Sequence, residues 1–293
     1  MAPEYYYVFT GKDGEWIPRH ITHVLIAAAL KFVPANAFYD HPNIEEVICH
    51  DGVEKIEEWA FYNCPRLRRV IMPGVKEVEK YAFNECKHLL YIECGKLEVI
   101  GAQTFRFCES LSSIDLPSIK IVESRGFCHC INLTNVNFGN DLESIGTGAF
   151  DGCTSLERIA LPLKGGIITH DTTFFGCEKL SHVDLIGGVH ETIDALLMDV
   201  WKDDLNNEIG KISQILDTTP AGNFYLFEAG EKTQAIQTWI RSILRKIIDY
   251  KAEHRRYLNV AAATLQPALP NDIVLKNVFP FIQLPSFRFQ GEN

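Results

Sequence analysis

The chain has 293 residues, of which 46% are apolar, 23% charged and 11% aromatic, a composition that supports a sizeable core and excludes a disordered polymer. Its formal net charge of −10 lacks the basic footprint of nucleic-acid binding and disfavours docking on an anionic membrane surface. Neither nucleic acid nor membrane is therefore expected among its partners.

The first residues, Met1-Ala2-Pro3-Glu4-Tyr5, show no basic stretch followed by an apolar run, so no secretory leader is expected. The most apolar early stretch, Ile21 to Val33, carries His23 and Lys31 and is too short and too polar to span a bilayer. Nine cysteines, an odd number, then read as free thiols in a reducing, cytoplasmic setting. Residues 1–32 are expected to form an N-terminal cap. Tyr5, Tyr6, Tyr7, Val8 and Phe9 read as a strand, and Thr10-Gly11-Lys12-Asp13-Gly14 as a turn.

From residue 33 to 188 one unit recurs: Ala-Phe-x-x-Cys-x-x-Leu-x-x-Ile/Val. Its cysteines are Cys64, Cys86, Cys108, Cys130, Cys153 and Cys177, spaced 22, 22, 22, 23 and 24 residues apart. Three residues before them stand Phe61, Phe83, Phe105, Phe127, Phe150 and Phe174; three after stand Leu67, Leu89, Leu111, Leu133, Leu156 and Leu180. A β-branched residue follows at Val70, Ile92, Ile114, Val136, Ile159 and Val183. An earlier copy has Phe38, Ile44 and Val47, with His41 in the cysteine place, which makes seven copies. Five residues before most of the phenylalanines lies a further aliphatic, as at Val33, Ile56 and Val78. Each copy thus has two short β-prone pieces and a turn. One repeat cannot bury its apolar face alone, so stacking into a β-rich solenoid is predicted.

Alternation along a strand sets which side chains face in. Ile114 and Leu116 point inward, as do Cys49 and Cys94 at the place of Leu116, while Ser113 and Asp115 point out. The same rule places Cys128, one residue after Phe127, on the surface.

The unit Ala-Phe-x-x-Cys-x-x-Leu-x-x-Ile-x-Leu-Pro resembles the BspA-type leucine-rich repeat over residues 33–186. The Tyr-rich start and helical C-terminal piece resemble algal, diatom-like members of that group. The resemblance implies a leucine-rich-repeat fold, protein–protein recognition and no catalytic residues. Bacterial members of the family are exported adhesins, and the expected lack of a leader sets this chain apart from them.

After Gly188 the period changes. Ile193, Leu196, Leu197, Val200, Trp201, Leu205, Ile209, Ile212 and Leu216 fall at helical spacing. Thr218-Thr219-Pro220-Ala221-Gly222 breaks the helix, and Ile236, Trp239, Ile240, Ile243, Leu244, Ile247 and Ile248 mark a second. Helices are expected over 191–217 and 231–265, forming a hairpin within residues 189–266. The first carries seven Asp/Glu against two Lys, and the second is basic, so the two attract. The hairpin either caps the last repeat, joins copies into a homo-oligomer or meets another partner. The apolar tail, 267–293, contains Pro280 and Pro285, which forbid a long helix; it either packs back or serves as a linear motif.

No catalytic, cofactor or metal site is read. Metal ligation needs about four donors at one point, whereas the repeat spreads its thiols one per turn. Cys128-His129-Cys130 is the one tight cluster. No H-E-x-x-H, G-x-S-x-G or P-loop motif occurs. The candidate surface is instead the outward strip of the repeat strands. One column holds Arg69, Tyr91, Ser113, Asn135, Arg158 and His182; a parallel one holds Ile71, Glu93, Asp115, Asn137, Ala160 and Asp184. Tyr and Arg are frequent hot-spot residues. The chain is accordingly expected to be a non-catalytic scaffold for a protein partner, with no cofactor.

Overall fold

Two β-prone pieces become two strands in six of the seven repeats, the last having an isolated bridge at Ile168 before its one strand, and the chain winds so that successive turns lie parallel on one another. The structure is a computed structural model. It describes residues 5–12, 14–170, 172–196, 198–222 and 230–265, without the side chains at 262 and 265. The tail read at 267–293 lies outside the described residues.

In chain order, β1 (Tyr6–Phe9) and β2 (His23–Ile26) lead into alternating short and longer strands. These are β3 (Phe32–Val33), β4 (Glu46–Ile48), β5 (Lys55–Ile56), β6 (Arg69–Ile71), β7 (Glu77–Val78), β8 (Tyr91–Glu93), β9 (Val99–Ile100) and β10 (Ser113–Leu116). They continue as β11 (Ile121–Val122), β12 (Asn135–Phe138), β13 (Ser144–Ile145), β14 (Arg158–Pro162) and β15 (His182–Ile186). The short strands form one six-stranded sheet, β13-β11-β9-β7-β5-β3. The longer ones form a five-stranded sheet, β1-β2-β4-β6-β8, and a four-stranded sheet, β10-β12-β14-β15. The result is a β-solenoid of about seven turns followed by helices.

The N-terminal residues do more than cover an end. β1 and β2 extend the ladder, with Tyr6 opposite His23 and His23 opposite Glu46. The reason is visible in Ile21-x-x-Val24-x-Ile26, which has the strand spacing of a repeat without its Phe and Cys; all three are buried.

The core is a set of columns. Phe38, Phe61, Phe83, Phe105, Phe127, Phe150 and Phe174 stack with centroids 4.9 to 5.6 Å apart. The Ala-Phe turn holds two left-handed residues in six of the copies, as at Trp59 (φ 59°) and Asn63 (φ 50°). Alternating hands aim every second N–H along the solenoid axis: Trp59, Phe61 and Asn63 donate to the carbonyls of Lys80, Ala82 and Asn84 in the next turn. In a later copy Gly148 and Gly152 fill these slots, where glycine adopts positive φ without strain.

The ladder cysteines have a polar task as well as an apolar one. Each Sγ lies 3.0 to 3.3 Å from the phenylalanine carbonyl of the preceding turn, from Cys64 on Phe38 to Cys177 on Phe150. Cys108→Val keeps an apolar group of similar size but removes the bond to Phe83. It should lower unfolding free energy by about 0.5–1.5 kcal/mol, the net value of one hydrogen bond. An unchanged denaturation midpoint would show that these thiols only fill space.

At the C-terminal end, the single helix expected over 191–217 is two: α1 (Val189–Asp194) and α2 (Asp199–Thr218). Met198 between them is extended, at φ −110° and ψ 128°. The break lets α1 bury Val189 and Ile193 while α2 buries Trp201, Leu205, Ile212 and Leu216. It also turns Val200, counted in the apolar stripe, out to solvent. α3 (Lys232–Leu265) packs back along α2. The expected charge pairing occurs at Lys246, whose Nζ lies 2.8 Å from Asp204 and 3.2 Å from Glu208. No helix of the described residues is long and apolar enough to cross a membrane.

The hairpin seats on the last turn by imitating a further one. Phe150 N–H donates to the carbonyl of Thr173, and Gly152 N–H to that of Phe175. One turn later Phe174 N–H donates to Thr233 Oγ1, and Gly176 N–H to the carbonyl of Ala221. Lys232, buried at the start of α3, donates to the carbonyls of Glu178 and Leu180. Gln237 Nε2 reaches the carbonyl of Ile168. Solenoid and hairpin share one apolar core.

Candidate functional site: the outward face of the strand ladder

A parallel ladder in strict register carries side chains of equal repeat position in straight columns. The first column runs Tyr6, His23, Glu46, Arg69, Tyr91, then Ser113, Asn135, Arg158 and His182. The second runs Val8, Leu25, Ile48, Ile71, Glu93, then Asp115, Asn137, Ala160 and Asp184. Every residue read into the face from sequence stands in one of these columns. Arg69, Tyr91, Glu93, Ser113, Asp115, Asn135, Asn137, Arg158 and His182 are exposed, and Ile71 and Asp184 half-buried. Ala160 is buried, a small residue beside the diagonal pair in which Arg158 Nη1 donates to both oxygens of Asp184 at 3.0 and 2.7 Å.

Three rungs of the face went unread: Tyr6, His23 and Glu46 in one column, Val8, Leu25 and Ile48 in the other. The Ile21-x-x-Val24-x-Ile26 spacing was the available signal. With them the first column becomes one connected chain of contacts. The Tyr6 and His23 rings lie 4.7 Å apart, and His23 Nε2 is 3.8 Å from Glu46. Arg69 Nη1 is 3.2 Å from Glu46, and its guanidinium sits 5.6 Å from the centroid of the Tyr91 ring. Glu46 thus has Arg69 as its cationic partner.

The face changes character halfway. The five-stranded sheet ends at β8 and the four-stranded sheet begins at β10. On the N-terminal side the second column is aliphatic. At the break it becomes Glu93 and Asp115, and beyond it Asn137, whose Nδ2 donates to Asp115 at 2.7 Å. Cys94 Sγ, 3.9 Å from the Asp115 carbonyl, shows how close the two strands remain.

The cysteines offer no competing site. All nine are free and buried. Cys128, expected on the surface, is 2% exposed. Alternation fails there because Arg125 and His129 are left-handed (φ 56° and 59°), so the segment is a turn, not a strand. Burial, then the nearby Asp151 carboxylate, pushes its thiol up to about 11; burial alone pushes Cys49 to about 12. Cys128, His129 and Cys130 diverge: toward Asp151, onto the Phe107 ring and to the Phe105 carbonyl. Among the described residues no group of three or more His, Cys, Asp or Glu could hold a metal ion. Thiolates, not thiols, are nucleophilic, so the native chain should leave all nine cysteines unmodified by a disulfide reagent at pH 8. In denaturant all nine should react. Fast native modification of even one would place a reactive thiol where none is expected.

A parallel-stranded coil with a phenylalanine column, a buried leucine per turn and outward residues in columns defines a leucine-rich-repeat protein. The sequence matches the BspA type leucine rich repeat region in six copies, over residues 31–121 and 98–197. This is more than half of the chain, which therefore belongs to the BspA-type leucine-rich-repeat family. Among solved structures it is similar to a leucine-rich repeat protein from Bacteroides ovatus, at 24% identity and a TM-score of 0.47, covering 59% of this chain and 47% of that one. It is also similar to the T. pallidum leucine-rich repeat protein, at 24% identity and a TM-score of 0.38, covering 71% and 84%. Human 5T4, a Wnt-activated inhibitory factor, matches at 14% identity and a TM-score of 0.33, covering 58% and 69%. The chain thus spans about half the length of the Bacteroides protein. No curated protein matches the sequence.

Proposed function

We propose that this chain is a non-catalytic scaffold that binds a protein partner through the outward face of its longer strands. Leucine-rich-repeat proteins are generally protein-interaction scaffolds. The observation that carries the reading is the face itself: two columns of mostly exposed side chains carried by nine strands in two parallel sheets. A rigid backbone lowers the ordering cost of association. The nine free thiols are the ground for setting this scaffold in a reducing, cytoplasmic compartment. The test is a pull-down from native extract with the intact chain and with a folded Tyr91→Ala, Arg158→Glu variant. A partner retained by the first and lost by the second is the expected result. A partner kept equally by both would remove recognition from this face.

A second reading, self-association through α2 and α3 of the C-terminal hairpin, has one observation in its favour. Ile248, Tyr257 and Val260 on α3, and Val200 on α2, remain exposed. It predicts a dimer or larger species by light scattering that Val260→Glu would dissociate.

A further inference from the structure

The outward face has an apolar half and an unbalanced charge at its middle, and together they specify a ligand chemistry. Val8, Leu25, Ile48 and Ile71 lie side by side on four adjacent paired strands. At about 4.8 Å per strand they make an aliphatic row roughly 14 Å long. Val8 is 53% exposed, and the other three are half-buried. Tyr6 and Tyr91, 59% and 49% exposed, bound the stretch of the first column that flanks the row.

The charges beside the row are settled, with one exception. Glu46 meets His23 and Arg69, and farther along Asp184 meets Arg158. Glu93 continues the aliphatic row, directly opposite Ile71, and Asp115 follows on the next long strand. Neither carboxylate pairs with a cation among the described residues; the Asp115 carboxylate accepts from the neutral Asn137 amide. Like charges on neighbouring strands are destabilising. These two also stand where the hydrogen-bonded sheet is interrupted between β8 and β10, beside the half-buried core residue Ile92. No described cation offsets either carboxylate, so the place is open to a cation arriving from outside.

We propose that this patch docks a protein segment that presents a lysine or arginine next to a row of aliphatic side chains, the aliphatics on Val8 to Ile71 and the cation between Glu93 and Asp115. The proposal rests on the recognition-face reading and adds the partner's chemistry and its place on the face. The N-terminal rungs supply contact area, the two carboxylates supply register and orientation, and charge complementarity raises the association rate. The C-terminal half, already paired internally at Arg158 and Asp184, plays a lesser part.

The experiment pans an unbiased phage library of random 16-residue peptides on the immobilised full chain. Enriched peptides are resynthesised and titrated by fluorescence polarisation. Expected are peptides with a Lys or Arg beside two or more aliphatic residues. Their Kd should weaken at least tenfold in the near-isosteric Glu93→Gln, Asp115→Asn chain and in Ile48→Ser, each shown folded by circular dichroism, and weaken with added salt. Enriched peptides without a cation, or with one but unaffected by the Glu93→Gln, Asp115→Asn change, overturn the proposal, as does a library from which nothing enriches. Peptides of another composition that Tyr91→Ala, Arg158→Glu still abolishes would leave the face as the recognition surface and remove only the basic-aliphatic ligand. Peptides indifferent to every outward substitution would remove both.

Discussion

Leu111→Ala should lower the unfolding free energy by about 2–5 kcal/mol, the range for emptying a buried leucine site. Leu111 is fully buried in the middle of the solenoid, and its N–H donates to the Cys108 carbonyl at 3.2 Å. It packs within a core shared by all turns, yet a solenoid's stability is a sum of neighbour interfaces. Weakening two adjacent interfaces at mid-length can therefore uncouple the halves. A broadened or two-step urea transition is the form this would take, with a reduced m-value if two-state analysis is forced on it. Ser113→Ala, two residues away and outward, should stay within about 0.5 kcal/mol of the parent. Equal effects at the two sites would mean that the strand register is shifted by one residue, since such a slip exchanges the faces.

What made the register legible is that the same backbone recurs in every turn. The same chemical demand, a flat ring at Phe105 or an aliphatic group at Leu111, is met by phenylalanine in all seven copies and by leucine in six, with Ile44 in the first. The turn conformation was not legible for the opposite reason. The first left-handed slot of the turn is filled by Asn36, Trp59, Tyr81, Gln103 and Arg125, which share no side-chain property. What they share is an N–H that must reach the next turn, and a hydrogen bond between main chains leaves no mark on residue identity. That hidden geometry is also why Cys128 was placed outside: a period-two rule was carried into a segment that is not a strand.

The candidate face was legible in its columns and not in its extent. Alternation alone turned Ser113 and Asp115 outward, and the structure places them so. The first two rungs lack the Phe and Cys by which the repeat is recognised, so His23 and Leu25 read as part of a cap. The division of the face at β8 and β10 was illegible, because Glu93 and Asp115 occupy the same column as Asn137 and Asp184. Their lack of a cation among the described residues depends on where Arg69 and Arg158 turn, and both turn away, to Glu46 and Asp184.

The second large effect is expected at the other end of the molecule. Trp239 is 2% exposed, and its Nε1 donates to the Glu208 carbonyl at 2.9 Å. Trp239→Glu removes a buried ring, a change worth about 3–5 kcal/mol, and leaves a carboxylate in the same apolar seat on the acidic helix α2. A buried charge without a partner adds to that cost, so the hairpin should come off the solenoid. The consequences are then ordered by the hydrogen bonds the hairpin supplies. Phe174 and Gly176 lose the acceptors Thr233 and Ala221, and the last strand edge opens, which invites association. Hydrogen exchange should show α2, α3 and β15 losing protection together while β4 to β8 keep theirs, because solenoid turns depend mainly on their neighbours. Protection lost evenly along the chain would mean that the solenoid folds only as one cooperative unit with its cap. A folded, fully protected monomer arising from an oligomeric parent would mean instead that Trp239 is used between chains, and the helices would then be the element that joins copies.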